Sequence, residues 1–320
     1  MEKKYIPIVC FAYSRPTHLN NMLSSLEKNK ISKFSDVTIF INGKDNKTNI
    51  ENWQKVVEVA SKNWSFKSLN VKIRNKNIGA KKNIINGITE MFASNDKLII
   101  LEDDLILGNH FLDFMNYCLN KYENDENIWH VNGWAHPQLF SVKSKSAVSY
   151  FMSPWGWGTW SKRWDVYIKN RHYEQNLISS LPEKEIKFFN MYGGVDWENM
   201  ILRDQKGNDN AWDCYWYQTI FLNKGKTIFP YKTHVFNDGF DGSGIHCGRK
   251  EEKEYPYDKT CNSNKTSSYP SRTKSINLLY DINLRFFNKK LNTIAYFNFH
   301  KDKFSSYKNL KEFIFRKINN

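Results

Sequence analysis

The chain has 320 residues, with 47 Lys and Arg against 33 Asp and Glu for a formal net charge of +14, and 16% of its residues are aromatic. That length is enough for one large core, or one core with a small appendage, and the basic surplus favours anionic partners without choosing among them. Five scattered cysteines without a C-x-x-C pair exclude a disulfide framework or a zinc module, and no stretch approaches the roughly 20 apolar residues that span a bilayer.

In chain order, apolar residues 5–13 predict a first strand, and Pro16 and Thr17 open a helix running to residue 29. A strand over 36–41 ends at Asn42-Gly43-Lys44-Asp45. A helix over 52–63, a strand over 69–73 and a helix over 79–93 follow. Residues 97–107, KLIILEDDLIL, read as a strand buried on both faces that meets Glu102, Asp103 and Asp104. Alternation of this kind predicts an α/β fold with a mainly parallel sheet flanked by helices.

Beyond the acids, a helix is expected over 109–122 and a strand over 128–131. The Trp- and Gly-rich residues 149–164 predict a shaped loop or short strands. Helical character returns over 176–191 and 212–223, with a short strand at 227–230 and a glycine-rich loop over 236–248. The polar residues 249–272 predict a linker, and 275–320 one or two basic, aromatic helices. The expected division is a catalytic domain over 1–250 and a linker with helical extension over 251–320.

Three adjacent carboxylates at a strand end repel one another and are costly to desolvate, so a cation is expected beside them. Oxygen ligands suit a divalent cation, and open α/β sheets bind ligands at the carboxyl ends of their strands. A solvated acidic turn is the alternative, and position alone does not decide between them.

Taken together, YSRP after strand one, N-x-G-x-K at Asn77 to Lys81, LEDDL, the block from Pro154 to Trp160, W-D-x-x-W at Trp212 to Trp216, and NDGFDGSGIH up to His246 resemble the GT-A-fold glycosyltransferases. Within these the chain is most similar to bacterial enzymes related to N-acetylglucosaminyltransferase I. The resemblance covers roughly residues 5–248. It implies a GT-A (Rossmann-like) mixed sheet with a C-terminal helical extension. The implied activity is metal-dependent, inverting transfer of a hexosyl or N-acetylhexosaminyl group from a nucleotide-sugar donor, most simply a UDP-sugar, to a glycan hydroxyl.

The resemblance also implies roles. Asp104 is the expected ligand of Mn²⁺ or Mg²⁺, with Asp103 toward the ribose or the metal's waters and Glu102 toward the sugar. Arg15 is expected at the nucleotide, Asp45 at the base, Lys81 at phosphate and Trp157 at the donor-sugar wall. Asp213 is the expected general base, ahead of Asp196, Glu198 and Asp241, and His246 a further metal ligand. Arg15, Asp45 and Lys81 also read as surface residues, Trp157 as core and Asp213 as a helix cap. The expected setting is cytoplasmic bacterial surface-polysaccharide (lipopolysaccharide or capsule) synthesis. A lipid-linked glycan is a candidate acceptor, and the C-terminal helices a peripheral contact with an anionic membrane; no nucleic-acid partner is expected. Two rivals remain. A sugar nucleotidyltransferase would carry a glycine-rich loop after strand one, which CFAYSRPTHLN lacks. A non-enzymatic binder of anionic glycans or nucleic acid gives no reason for three acids on a buried strand.

Overall fold

A computed structural model describes residues 5–135, 146–191, 195–207, 211–243 and 273. Its centre is an eight-stranded mixed sheet in the order β3-β2-β1-β4-β8-β6-β9-β7, where β1 is Ile8–Ala12, β2 Asp36–Ile41, β3 Ser68–Ile73, β4 Lys97–Glu102, β6 Ile128–Asn132, β7 Ser146–Ser149, β8 Trp157–Trp160 and β9 Lys226–Pro230. Strands β3, β2, β1 and β4 run parallel. β8 is antiparallel to both β4 and β6, and β7 is antiparallel to β9. A two-stranded sheet pairs β5, Leu105–Leu107, with β10, Val235–Asn237.

Local chemistry explains the parallel half. Every residue of β1 and the four apolar residues of β4 are buried, as expected for strands covered by helices on both faces. Helix α1, Pro16–Glu27, starts with proline in its first turn and buries Leu19, Met22, Leu23 and Leu26. Helix α2, Ile50–Ala60, is capped by Asn49, whose side chain accepts from the Asn52 backbone N–H. Helix α3, Ala80–Phe92, begins after Gly79, whose φ of 80° suits glycine.

The chain turns from β1 toward β2 and β3 on one side and reaches β4 on the other. The crevice between β1 and β4 is therefore the topological switch point, where α/β sheets bind ligands. Strand β4 ends at Glu102, and Asp103 and Asp104 form the turn into β5.

Helix α4, Phe111–Lys121, follows as predicted. The expected helix over 176–191 shortens to α6, Glu183–Phe189. The Asn176 side chain accepts from the backbone N–H groups of Ile178 and Ser179, and Pro182 stands at the helix start. Residues 149–164 hold a buried strand, β8, running into α5, Ser161–Lys169. Helix α7, Trp197–Gln205, was not among the predicted elements. Helix α8, Asp213–Leu222, buries seven consecutive residues from Cys214 to Ile220, so it lies inside the core rather than over it.

Cys10, Cys118 and Cys214 are free and buried, and burial holds each thiol above its usual range. Among the described residues no helix is long and apolar enough to cross a membrane. The linker, the basic C-terminal helices and His246 lie outside the described residues.

Candidate active site

Arg15, three residues beyond β1, reaches across the switch-point crevice to both aspartates of the β4–β5 turn. Its Nη2 contacts Asp103 Oδ1 and lies 2.9 Å from Asp104 Oδ2, and its Nε is 3.4 Å from Asp103 Oδ2. Burial alone would lower the guanidinium, but the fields of Asp103 and Asp104 outweigh it and hold it above its ordinary value. Asp103 is only 5% exposed, and its desolvation, which Arg15 offsets in part, leaves its carboxyl above the usual range. Glu102 is raised well above, by burial first and then by the charges of Asp104, Asp213 and Asp103. Arg15 thus pairs with two aspartates, while Glu102 feels Asp103, Asp104 and Asp213 together.

Asp213 belongs to this group although 109 residues separate it from Asp104. It occupies the first turn of α8, where the positive end of the helix favours a carboxylate. Its Oδ1 accepts from the Cys214 backbone N–H at 3.0 Å.

The β5–β10 pairing brings the NDGFD segment onto the same turn. The Asp238 backbone N–H donates to the Asp104 carbonyl at 2.8 Å, and a Cβ added at Gly239 would overlap Asp104 Oδ2. Only glycine fits that close to this oxygen, which also accepts from Arg15. Asp241 pairs with His18 on α1 at 3.4 Å, and Phe240 meets the edge of Trp155 at 5.8 Å.

A divalent cation fits these residues by two tests. The donor set is hard carboxylate oxygen, and Gly239 leaves beside Asp104 Oδ2 the space that a Cβ would fill. Among the described residues no three His, Cys, Asp or Glu side chains converge as a complete metal cage. An ion here would complete its shell from water and substrate oxygens, as Mg²⁺-type sites commonly do.

Asp45 sits on the far side of the crevice in a polar network built from the ends of β1, β2 and β3. Its carboxylate accepts from the Thr48 hydroxyl and the Lys47 backbone N–H, each at 2.9 Å, and from Asn77 Nδ2 at 2.9 Å. These bonds, Thr48 foremost, hold its pKa below the ordinary aspartate value. Tyr13 joins through Thr48 at 2.6 Å, and Asn77 also accepts from Asn42 Nδ2 at 2.7 Å.

Two expected residues are placed otherwise. Trp157 is fully buried, stacked on His130 at 4.9 Å and on Trp212 at 5.4 Å, so its ring forms core and not a ligand wall. Trp155 of that block is half-buried instead, set between Trp134 and Phe240 of the NDGFD segment. Lys81 pairs with Asp204 of α7 at 2.5 Å, lies 4.0 Å from the centre of the Tyr215 ring, and offers no uncompensated charge to a phosphate. Tyr13, His18 and Trp155 were not singled out as site residues by sequence. Tyr13 opens YSRP and His18 lies two residues beyond it, and that adjacency is the signal that was available.

Residues 85–153 match glycosyltransferase family 25 (LPS biosynthesis protein), a stretch that includes β4 and both aspartates and ends just before the tryptophan block. No curated protein matches the chain. Among solved structures, residues 1–349 of S. aureus TarS are 12% identical, with a TM-score of 0.43, 73% of this chain covered and 61% of that chain. A cytidylyltransferase from Leptospira borgpetersenii is 17% identical at a TM-score of 0.33, with 52% and 65% covered. The mannosyltransferase PcManGT from Pyrobaculum calidifontis, solved with GDP-Man and Mn²⁺, is 9% identical at a TM-score of 0.37, with 68% and 70% covered. The chain spans about three-fifths of the length of the TarS fragment. Residues 85–153, similar to glycosyltransferase family 25, thus carry the acidic turn of a mixed α/β sheet.

Proposed function

We propose that the chain is a metal-dependent, inverting glycosyltransferase of bacterial surface-glycan synthesis, using a nucleotide-sugar donor, most simply a UDP-sugar. The observation that carries this reading is the turn Asp103-Asp104 at the switch point, gripped by Arg15 and joined by the field of Asp213. The family 25 stretch includes the same turn.

In this reading the nucleoside lies toward Tyr13, Asn42, Asp45 and Asn77, and the diphosphate over Asp103 and Asp104. Asp104, beside the Gly239 notch, would hold the cation with Asp103 behind it, and His246 is a candidate further ligand. A bound Mn²⁺ or Mg²⁺ supplies neutralisation of the charge that grows on the leaving diphosphate. Arg15 holds both aspartates in place and lowers the cost of keeping them ionised. Asp213, in the first turn of α8, accepts the proton of the acceptor hydroxyl. As that oxygen bonds to the anomeric carbon, the bond from carbon to the diphosphate oxygen breaks on the opposite face, and its electron pair leaves with the nucleoside diphosphate. Configuration inverts. The acceptor is a glycan hydroxyl, with a lipid-linked glycan and a cytoplasmic membrane surface as the setting. The catalytic domain is residues 1–250, with 251–320 as extension.

The test is release of nucleoside diphosphate from a panel of UDP- and GDP-sugars with Mn²⁺. Slow, donor-specific release supports transfer. Pyrophosphate exchange in its place would point to a nucleotidyltransferase, and no turnover or binding of any donor would refute the reading.

A further inference from the structure

Arg15 precedes α1 as its N-cap residue, yet its side chain makes no bond to that helix and turns to the acids of the β4–β5 turn. A guanidinium has five N–H donors. Those of Nε and Nη2 go to Asp103 and Asp104, and among the described residues Nη1 bonds to nothing. It is not one of the buried unpaired atoms, so solvent reaches it. The same holds for Asp104 Oδ1, whose companion Oδ2 is the oxygen that Arg15 holds.

These positions set Arg15 against the cation proposed for Asp104. A Mg²⁺-type ion bonds oxygen at about 2.0–2.1 Å, so on Asp104 Oδ2 it would lie at most about 5 Å from Arg15 Nη2. On Oδ1 of the same carboxylate it would be only slightly farther. One carboxylate would then serve two cations that repel each other. Among the described residues no other lysine or arginine pairs with Glu102, Asp103 or Asp104, so this repulsion is specific to Arg15.

A diphosphate removes the conflict. It brings several negative charges, oxygen ligands for the cation, and acceptors that match the planar fork of an arginine. Tyr13, on the nucleoside side of the crevice, stands two residues before Arg15. A diphosphate that runs from there to Asp103 and Asp104 passes the guanidinium and can take the Nη1 donors.

We propose that Arg15 makes the cation site conditional on the diphosphate: it opposes a divalent cation that arrives alone and binds the diphosphate that arrives with it. The inference rests on the transferase reading above. Cation and diphosphate then strengthen each other by one shared factor, and Arg15 sets part of that factor.

The test is Mn²⁺ binding to the full chain, read from the electron paramagnetic resonance of free Mn²⁺, alone and with pyrophosphate, UDP or GDP. Arg15→Met should bind Mn²⁺ alone at least about tenfold more tightly than wild type, equivalent to ~1.4 kcal/mol. The further tightening by pyrophosphate or UDP should shrink about tenfold in that variant. Arg15→Lys, which keeps a charge there, should stay closer to wild type on both counts. A purely structural arginine predicts the opposite sign, because a loosened turn binds Mn²⁺ less well.

Equal or weaker Mn²⁺ binding by folded Arg15→Met would overturn the proposal and leave the transferase reading standing if wild type binds UDP with Mn²⁺. No Mn²⁺ binding by any form would also overturn it. The predicted Arg15→Met result with pyrophosphate, with neither UDP nor GDP bound by wild type, would support the proposal and refute the transferase reading instead. Labelling of wild-type Arg15 by phenylglyoxal, read by peptide mass spectrometry, covers a variant that does not fold. With Mn²⁺ present, pyrophosphate should slow it at least about threefold, and an unchanged rate would overturn the proposal.

Discussion

Removing Arg15 isolates the effect that shapes the site. The Arg15→Ala side chain no longer reaches Asp103 or Asp104, and Asp103, with 6% side-chain exposure, loses its charged partner while staying enclosed. Breaking a buried pair from one side costs about 3–5 kcal/mol. The arginine side chain is itself 20% exposed, so about 2–4 kcal/mol is the better range here. At roughly 2–4 °C per kcal/mol for a domain of this size, a loss of about 3 kcal/mol lowers the melting midpoint by roughly 6–12 °C.

The pH dependence adds a sign. Glu102 and Asp103 both have carboxyls raised in the folded protein, so the native state binds more protons than the unfolded chain above the ordinary carboxylate range. Their contribution to stability is therefore fully present at low pH and lost as pH rises through the raised folded values. Arg15 opposes that rise on both groups, so deleting it widens the window. The destabilisation of Arg15→Ala should be larger at pH 7.5 than at pH 5, as read by urea unfolding at both. An equal loss at both pH values, or no loss at neutral pH, would refute the charge account of the turn.

Further expectations concern single residues. Gly239→Ala drives a methyl into Asp104 Oδ2, so Mn²⁺-dependent nucleotide affinity should fall tenfold or more, about 1.4 kcal/mol; titration with UDP checks this. Trp157→Ala should cost about 3–5 kcal/mol in chemical denaturation, as core truncations do. Trp155→Ala should leave stability closer to wild type and reduce turnover, and the reverse pattern would show that the wrong tryptophan faces the ligand. Asp213→Asn should keep nucleotide binding and lower the transfer rate by about 10²–10⁴; wild-type transfer rates would remove Asp213 from the base role.

The parallel half of the sheet was legible because its signals are local. IVCFA, DVTIFI and KLIILE are continuous apolar runs between helices with 3.6-residue spacing, and they fall within a few residues of the observed strands. The switch-point position of the LEDD turn was legible for the same reason. In the other half β6 and β9 were legible at 128–131 and 227–230, whereas residues 149–164 stayed open between a shaped loop and short strands. WGTW carries neither alternation nor helical spacing, and its identity as a strand depends on β4 and β6, which pair with it from both sides across a long sequence separation. Trp157 was assigned to a ligand wall because a motif gives residue types but not which ring turns inward. Lys81 was assigned to phosphate because its partner Asp204 lies 123 residues away on a helix that the sequence reading did not identify. The convergence of Asp213 on Glu102 came from the family resemblance, and no spacing in the chain announces it.

The central claim is that Asp104 and its neighbours form a metal-linked site for a nucleoside diphosphate. Calorimetric titration of UDP into the wild type and into Asp104→Ala, each with Mn²⁺ and then with EDTA, tests it most directly. The account predicts binding by the wild type only when Mn²⁺ is present, and loss of that binding in Asp104→Ala. UDP affinity that is the same with EDTA, or unchanged in Asp104→Ala, would contradict it.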